Sequence, residues 1–199
     1  AALEPPEDWI AQARRLLETL PPGMQDPVIV LALMEDGCSA AGLAVWHPID
    51  APMAEALRAL QARGYLELAG GRWRFPSRLW ARAVLAADPR GRDRVGRRLL
   101  TAPAGSGPQL DARSALRLAL RLRELEIAGG LLPAALRSLE AEGRLEDALV
   151  LWSDACAAGF HALGIRRGDR IGLLLPNCPQ FFIAELGAWK IGAIAAPLN

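Results

Sequence analysis

Apolar residues recur every three to four positions through residues 7–19 (EDWIAQARRLLET), placing Trp9, Ile10, Ala13, Leu16 and Leu17, with Leu20 just beyond, on one helical face. The run LPPG then stops that helix. In DPVIVLALMEDG, Pro27 sits in the first turn and Gly37 just past the end, the punctuation of a second, short apolar helix. A third is predicted over about 52–63, with Leu57, Leu60 and Tyr65 in phase and Gly64 as its C-cap. There the period changes from helix to strand. Tyr65, Leu66 and Leu68 lead into Gly70-Gly71, and Trp73 and Phe75 alternate with Arg72 and Arg74. This reads as a β-hairpin across a Gly-Gly turn.

Residues 101–109 (TAPAGSGPQ) are a Pro/Gly/Ser connector. An amphipathic helix follows over 111–128, capped by Asp111 and broken by GGLLP. Residues 134–159 then carry small residues on two helical stretches around Gly143-Arg144, the layout of a tetratricopeptide-like hairpin. From Leu151 the text changes again. LWSDACAAGFHALGI predicts a helix with Trp152, Ala155, Cys156, Gly159, Phe160 and Leu163 facing inward. RRGD is a turn, and RIGLLL an apolar strand of the kind buried in a parallel sheet. A helix starting at Pro179 repeats Phe182, Leu186 and Trp189, and AIAAPLN is a second apolar strand. Strand, helix and strand in that order predict a parallel crossover unit.

Composition narrows the class. With 52% hydrophobic and 23% charged residues the chain is a folding one, and its net charge of +1 gives no bulk attraction to nucleic acid or anionic lipid. The charge is uneven, however. Residues 72–98 hold nine arginines against Asp88 and Asp93, either a solvated face or a phosphate-binding stripe. Arg72, Arg74, Arg78 and Arg82 are the candidate phosphate or nucleic-acid contacts. Three helices followed by a hairpin is the order of a winged helix, whose third helix would enter a major groove. Here that helix offers base edges only Arg58, Gln61 and Arg63. Nucleic acid is therefore not the expected partner.

Cys38, Cys156 and Cys178 are far apart and His47 and His161 are the sole histidines, so no metal ligand set is expected, and the sparse cysteines fit a reducing cytoplasm. Glu185 and Lys190 interrupt the most apolar stretch, so no membrane span is expected. No phosphate-loop or nucleophile-elbow motif occurs, and the Gly-rich APAGSGP follows no strand and carries prolines where donors are needed. His47, before Pro48, reads as a turn residue, Asp169 as a structural cap or pair, and Lys190 as a solvated helix residue.

Two resemblances rest on these residues. Across 8–100, the helix, LPP, apolar helix and hairpin, with Trp73-Arg74-Phe75 and Arg94 to Leu99, resemble the region after the nucleotide-binding domain of STAND regulatory ATPases. The histidines usual in both motifs are absent here, Phe75 being followed by Pro76. That resemblance implies an intramolecular regulatory module. Over 151–199, Leu163-Gly164-Ile165, Gly168-Asp169-Arg170, Pro176-Asn177, the run LGAWKIGA and Pro197-Leu198-Asn199 are similar to the start of the adenylate-forming synthetases, and Pro176-Asn177-Cys178-Pro179 leans towards acyl-CoA synthetases. What this resemblance implies is ATP-dependent carboxylate activation using ATP, Mg²⁺ and CoA in a full-length parent. The family's nucleotide-binding and catalytic motifs do not occur in these residues, so no catalytic, cofactor-binding or metal residue is assigned to the fragment.

The expected fold is mainly α. A winged-helix-like unit with flanking helices occupies 1–100, a linker 101–110, a helical-hairpin segment 111–150, and the truncated N-terminal part of an adenylate-forming domain, a βαβ piece, 151–199. Three functions follow: an inactive fragment of an AMP-dependent acyl-CoA ligase, a regulatory protein-interaction module, or a winged-helix DNA binder. The expected partners are the remainder of the adenylate-forming domain and proteins docking on the helical region.

Overall fold

A computed structural model describes residues 4–21, 23–34, 37–46, 49–103 and 110–198. The chain divides into two compact units, residues 1–110 and residues 111–199. The connector residues 104–109, and His47 with Pro48, lie outside the described residues. No described helix is long and apolar enough to cross a membrane.

The first unit is built around α2 (Gln25–Leu33), whose residues from Pro27 to Leu33 are all buried. Such a helix, apolar on every side, must be wrapped by others. The helices α5 (Arg78–Ala87) and α6 (Pro89–Thr101) do this, and α1 (Glu7–Thr19) lies on α5. Trp9 stacks on Trp80 with ring centroids 5.4 Å apart, and Tyr65 meets Trp80 edge-on at 5.3 Å. Each helix start after α2 is set locally. Ser39 accepts from the Gly42 N–H to begin α3 (Ala40–Ala44), Asp50 from Met53 to begin α4 (Ala51–Ala62), and Ser77 from Trp80 to begin α5. Asp88 accepts from Gly91 to begin α6, with Pro89 in its first turn.

The hairpin forms from β2 (Glu67–Ala69) and β3 (Arg72–Arg74), turning on Gly70 and Gly71, both at positive φ. A third strand, β1 (Cys38–Ser39), pairs antiparallel with β3, giving the sheet order β1-β3-β2. Two residues are too few to show an alternation in sequence, and only pairing with Trp73 and Arg72 makes them a strand.

In the second unit the helix read over 111–128 ends early. Here α7 spans Ala112–Leu122, and Arg123 turns the chain in a left-handed conformation (φ 61°), its N–H capping onto the Ala119 and Leu120 carbonyls. The next helix, α8 (Leu125–Ala141), then runs straight through the predicted breaker Gly129-Gly130 and Pro133. Proline in a helix interior forfeits a hydrogen bond, and glycine lacks intrinsic preference. Burial of Ala128, Ala135, Leu136 and Leu139 outweighs both. Gly143 (φ 68°) closes the turn into α9 (Leu145–Ala162), which packs on α8. Parallel strands β4 (Arg170–Leu173) and β5 (Ile194–Pro197) flank α10 (Pro179–Lys190), and α10 lies along α9.

Asp111 anchors the start of this unit, accepting from the N–H groups of Arg113 (2.9 Å) and Ser114 (3.1 Å) and from the Ser114 hydroxyl (2.6 Å). Burial alone would raise its pKa. The Ser114 hydroxyl, the two N–H donors and the Arg113 charge outweigh that and hold the carboxyl below its ordinary value. A carboxylate depressed in the folded state stabilises above its unfolded pKa, and this contribution is lost as pH falls through the carboxylate range. Protection of α7 against hydrogen exchange is therefore expected to be level from neutrality to about pH 5 and to fall below it. In Asp111→Asn, which keeps the cap but cannot ionise, the fall should be shallower. An unchanged slope in that variant would remove Asp111 as its source.

Candidate functional site

The candidate arginines lie on β3 and α5 of the first unit. Arg72 and Arg74 flank buried Trp73 on β3 and are both exposed. The Arg72 guanidinium donates to the Gly37 carbonyl at 2.7 Å, tying the hairpin to the loop before β1, and Arg74 pairs with Glu67 across the hairpin at 2.6 Å. Arg78 and Arg82 lie one turn apart on α5 and are also engaged. Further along the arginine run, Arg92 pairs with Asp93, Arg94 with Asp26, and Arg98 covers the Trp46 ring at 4.3 Å. Of the run, Arg72, Arg94 and Arg98 thus tie separate segments of the first unit together. On α4, Arg58 donates to the Ala54 carbonyl of its own helix.

In the second unit the chemistry-bearing region is α9 with β4–α10–β5. Residues Arg166 to Asp169 close on themselves. The Asp169 carboxylate accepts from the Arg166 N–H at 2.7 Å, and its carbonyl accepts from Ile194 at 2.8 Å, pinning the turn to β5. Gly168 (φ 89°) donates to the Gly192 carbonyl at 2.9 Å. Asp169 is thereby a structural residue of the strand pair.

Lys190 is exposed, as a solvated helix residue would be, but it is also engaged. Its ammonium donates to the Val150 carbonyl (3.0 Å), the Ser153 hydroxyl (2.7 Å) and Asp154 (2.5 Å), clamping α10 to α9. Ser153, 1% exposed, completes the knot by donating to Val150 at 2.9 Å. Spacing alone could not reveal this, since 36 residues separate Lys190 from Asp154. Close approach of the two helices depends on Gly187, where an added Cβ would stand 3.0 Å from that of Cys156.

This packing changes which face of α9 is inside. Ala148, Leu151, Ser153 and Ala157 are buried, whereas Trp152 and Leu163, expected inward, are exposed. Likewise Phe182 (52%) and Trp189 (56%) on α10 are open, the buried positions there being Gly187 and Ala188. Of the strand RIGLLL only Leu173 is buried, and Leu174 is 78% exposed. A parallel strand pair is ordinarily covered on both faces. Here Leu174, Phe182, Trp189, Ile194 and Leu198 are each left exposed. The cysteines are free. Burial pushes the Cys38 thiol up, against a smaller opposing pull from Arg72, and pushes up that of Cys156. Neither is a ready thiolate.

Residues 148–199 match the family of AMP-binding enzymes. Among curated proteins, the chain is similar to the crotonobetaine/carnitine–CoA ligase of Salmonella paratyphi A, with 58% identity over 40 residues. That stretch is 20% of this chain and 8% of the relative. The ligase of the same name from Proteus mirabilis is 52% identical over 40 residues with the same coverage. The match thus spans about 8% of the length of these relatives. No solved structure matches the chain.

Proposed function

We propose that residues 151–199 are the opening βαβ segment of an AMP-forming acyl-CoA ligase domain, and that the 199-residue chain itself is catalytically inactive. The observation that carries this reading is a coincidence. The AMP-binding match, residues 148–199, falls on a parallel strand pair and its crossover helix, where Leu174, Phe182, Trp189, Ile194 and Leu198 are exposed. An open parallel pair offers unpaired backbone groups and apolar side chains to further strands and helices.

In such a ligase, ATP and a carboxylic acid give an acyl-adenylate and pyrophosphate, and the CoA thiol then displaces AMP. The family's nucleotide-binding and catalytic motifs do not occur in these residues, so no step is assigned to this chain. Its part is a platform, in which Lys190 and Gly187 fix α10 on α9 and the Arg166–Asp169 turn sets β4 beside β5.

For residues 1–100 we infer a winged-helix-like regulatory module that meets protein rather than nucleic acid, in the cytoplasm. The sheet order β1-β3-β2, with α3 and α4 between β1 and the hairpin in the chain, supports the winged-helix reading. The exposed residues of α4 are Ala51, Pro52, Glu55, Arg58, Ala59, Gln61 and Ala62, of which only Arg58 and Gln61 suit base edges. The helical hairpin over 111–150 is read as tetratricopeptide-like and as part of the same interaction region.

A graft tests the ligase reading. The matched 40 residues of the Proteus mirabilis enzyme are replaced by their counterpart from this chain, with the Salmonella paratyphi A stretch grafted as control. A hybrid that still forms acyl-CoA product is expected. A dead hybrid beside a live control would overturn the reading. The 199-residue chain alone should show no ATP–pyrophosphate exchange above background, and any exchange would end the claim of inactivity.

A further inference from the structure

The second unit holds a cleft of about 420 Å³ between the α7–α8 turn and the C-terminal end of α9. This volume is within the range of small-molecule sites. Six of its nine lining side chains are apolar, among them Leu120, Leu125 and Ile191, and the other three are Arg123, His161 and Arg166. No carboxylate lines it among the described residues. A concave apolar floor beside two arginines and a histidine suits a molecule with an aliphatic body and an anionic end.

The two arginines are presented by backbone geometry. Arg123 occupies the left-handed region (φ 61°), the sole described residue other than glycine to do so. Glycine or asparagine is the usual choice at such a helix end, although a cationic side chain there also complements the helix dipole. Its guanidinium forms no hydrogen bond or ion pair among the described residues. Arg166 is anchored through one terminal nitrogen, which donates to the carbonyls of His161 (2.9 Å) and Ile165 (3.0 Å). An anchored fork meets a carboxylate with less loss of side-chain freedom than a loose one.

We propose that this cleft binds a small aliphatic carboxylate, its head on Arg123 and Arg166 and its chain along Leu120, Leu125 and Ile191. The inference does not rest on the ligase reading, because Leu120, Arg123 and Leu125 precede the segment that matches the AMP-binding family. A single-charge head is favoured over a phosphate because six of the nine lining residues are apolar and both arginines are themselves exposed to water.

The test is calorimetric titration of the whole chain with octanoate, 1-octanol and inorganic phosphate in parallel. Octanoate is expected to bind and the other two not. Equal binding of octanol would show that the charges are idle, and equal binding of phosphate would show that the floor is idle. Either result overturns the proposal, as does no octanoate binding at millimolar concentration. The decisive variant is Arg123→Gly, which suits the positive φ and so leaves folding intact or improved. It should weaken octanoate binding by about tenfold, the loss of one charge-assisted pair. Arg166→Gln should weaken binding as well, whereas the exposed Arg137→Gln, outside the cleft, should leave it unchanged.

Discussion

Gly37→Ala is expected to destabilise the first unit by about 3 kcal/mol, a large share of the stability of a small domain. Two effects add. Gly37 sits at φ 73°, and a residue with a Cβ costs roughly 1–2 kcal/mol in the left-handed region. The added carbon would also stand 2.4 Å from the Trp73 carbonyl oxygen and 2.8 Å from the Arg74 Cβ. A backbone oxygen has no rotamer by which to withdraw, so β1 must move away from β3, a displacement costing about 1–3 kcal/mol. The same shift disturbs the bond from Arg72 to the Gly37 carbonyl. Gly64→Ala separates the contributions, for Gly64 has φ 75° with nothing within 4 Å of the added carbon. It should lose only the conformational part, about 1 kcal/mol. Urea denaturation of both variants measures the difference, and equal losses would mean that the close approach at β3 has no energetic weight.

The second large effect is expected at Gly187, where α10 crosses α9. An added Cβ would lie 3.0 Å from the Cys156 Cβ, 3.1 Å from its Sγ and 3.2 Å from the Ala157 nitrogen. Alanine would crowd this contact, and valine would force the helices apart at a cost of about 2–3 kcal/mol. Separation would also lengthen the bonds from Lys190 to Val150, Ser153 and Asp154, which depend on the same crossing. Gly159→Ala is the matched control, since its Cβ would point into open space. There the better helix former should be neutral or stabilising by up to about 1 kcal/mol. Hydrogen exchange along α9 reads the outcome directly: protection should fall in Gly187→Val and hold in Gly159→Ala. If both behave alike, the close crossing does not hold α10 in place.

The candidate site shows where sequence reading stops. The Gly168-Asp169-Arg170 and LGAWKIGA runs carried the resemblance to adenylate-forming enzymes because they are local, contiguous and dense in glycine. The comparison over residues 148–199 answers to that stretch. Lys190 was legible only as a charged residue on a helix. Its partners stand on another helix, and one of them is a backbone carbonyl that no side-chain pattern reports. Arg123 and Arg166 were likewise indistinguishable from other surface arginines, since what sets them apart is a positive φ and an anchoring bond.

By itself the sequence determined the elements whose cause is local. The helix over Glu7–Thr19 follows from its apolar stripe, the turn of β2 into β3 from Gly70-Gly71, the start of α10 from Pro179, and the α8–α9 turn from Gly143. Each depends on backbone preference or periodicity within a few residues. Tertiary structure alone decided the rest. It made Cys38–Ser39 a strand by giving it β3 to pair with. It carried α8 through Gly129, Gly130 and Pro133 by burying Ala135, Leu136 and Leu139 on neighbouring helices. It also chose which of two apolar faces of α9 is inside, because the glycine of a helix far along the chain lets α10 approach only there. The energy of burial belongs to pairs of distant surfaces, and no single stretch of sequence contains it.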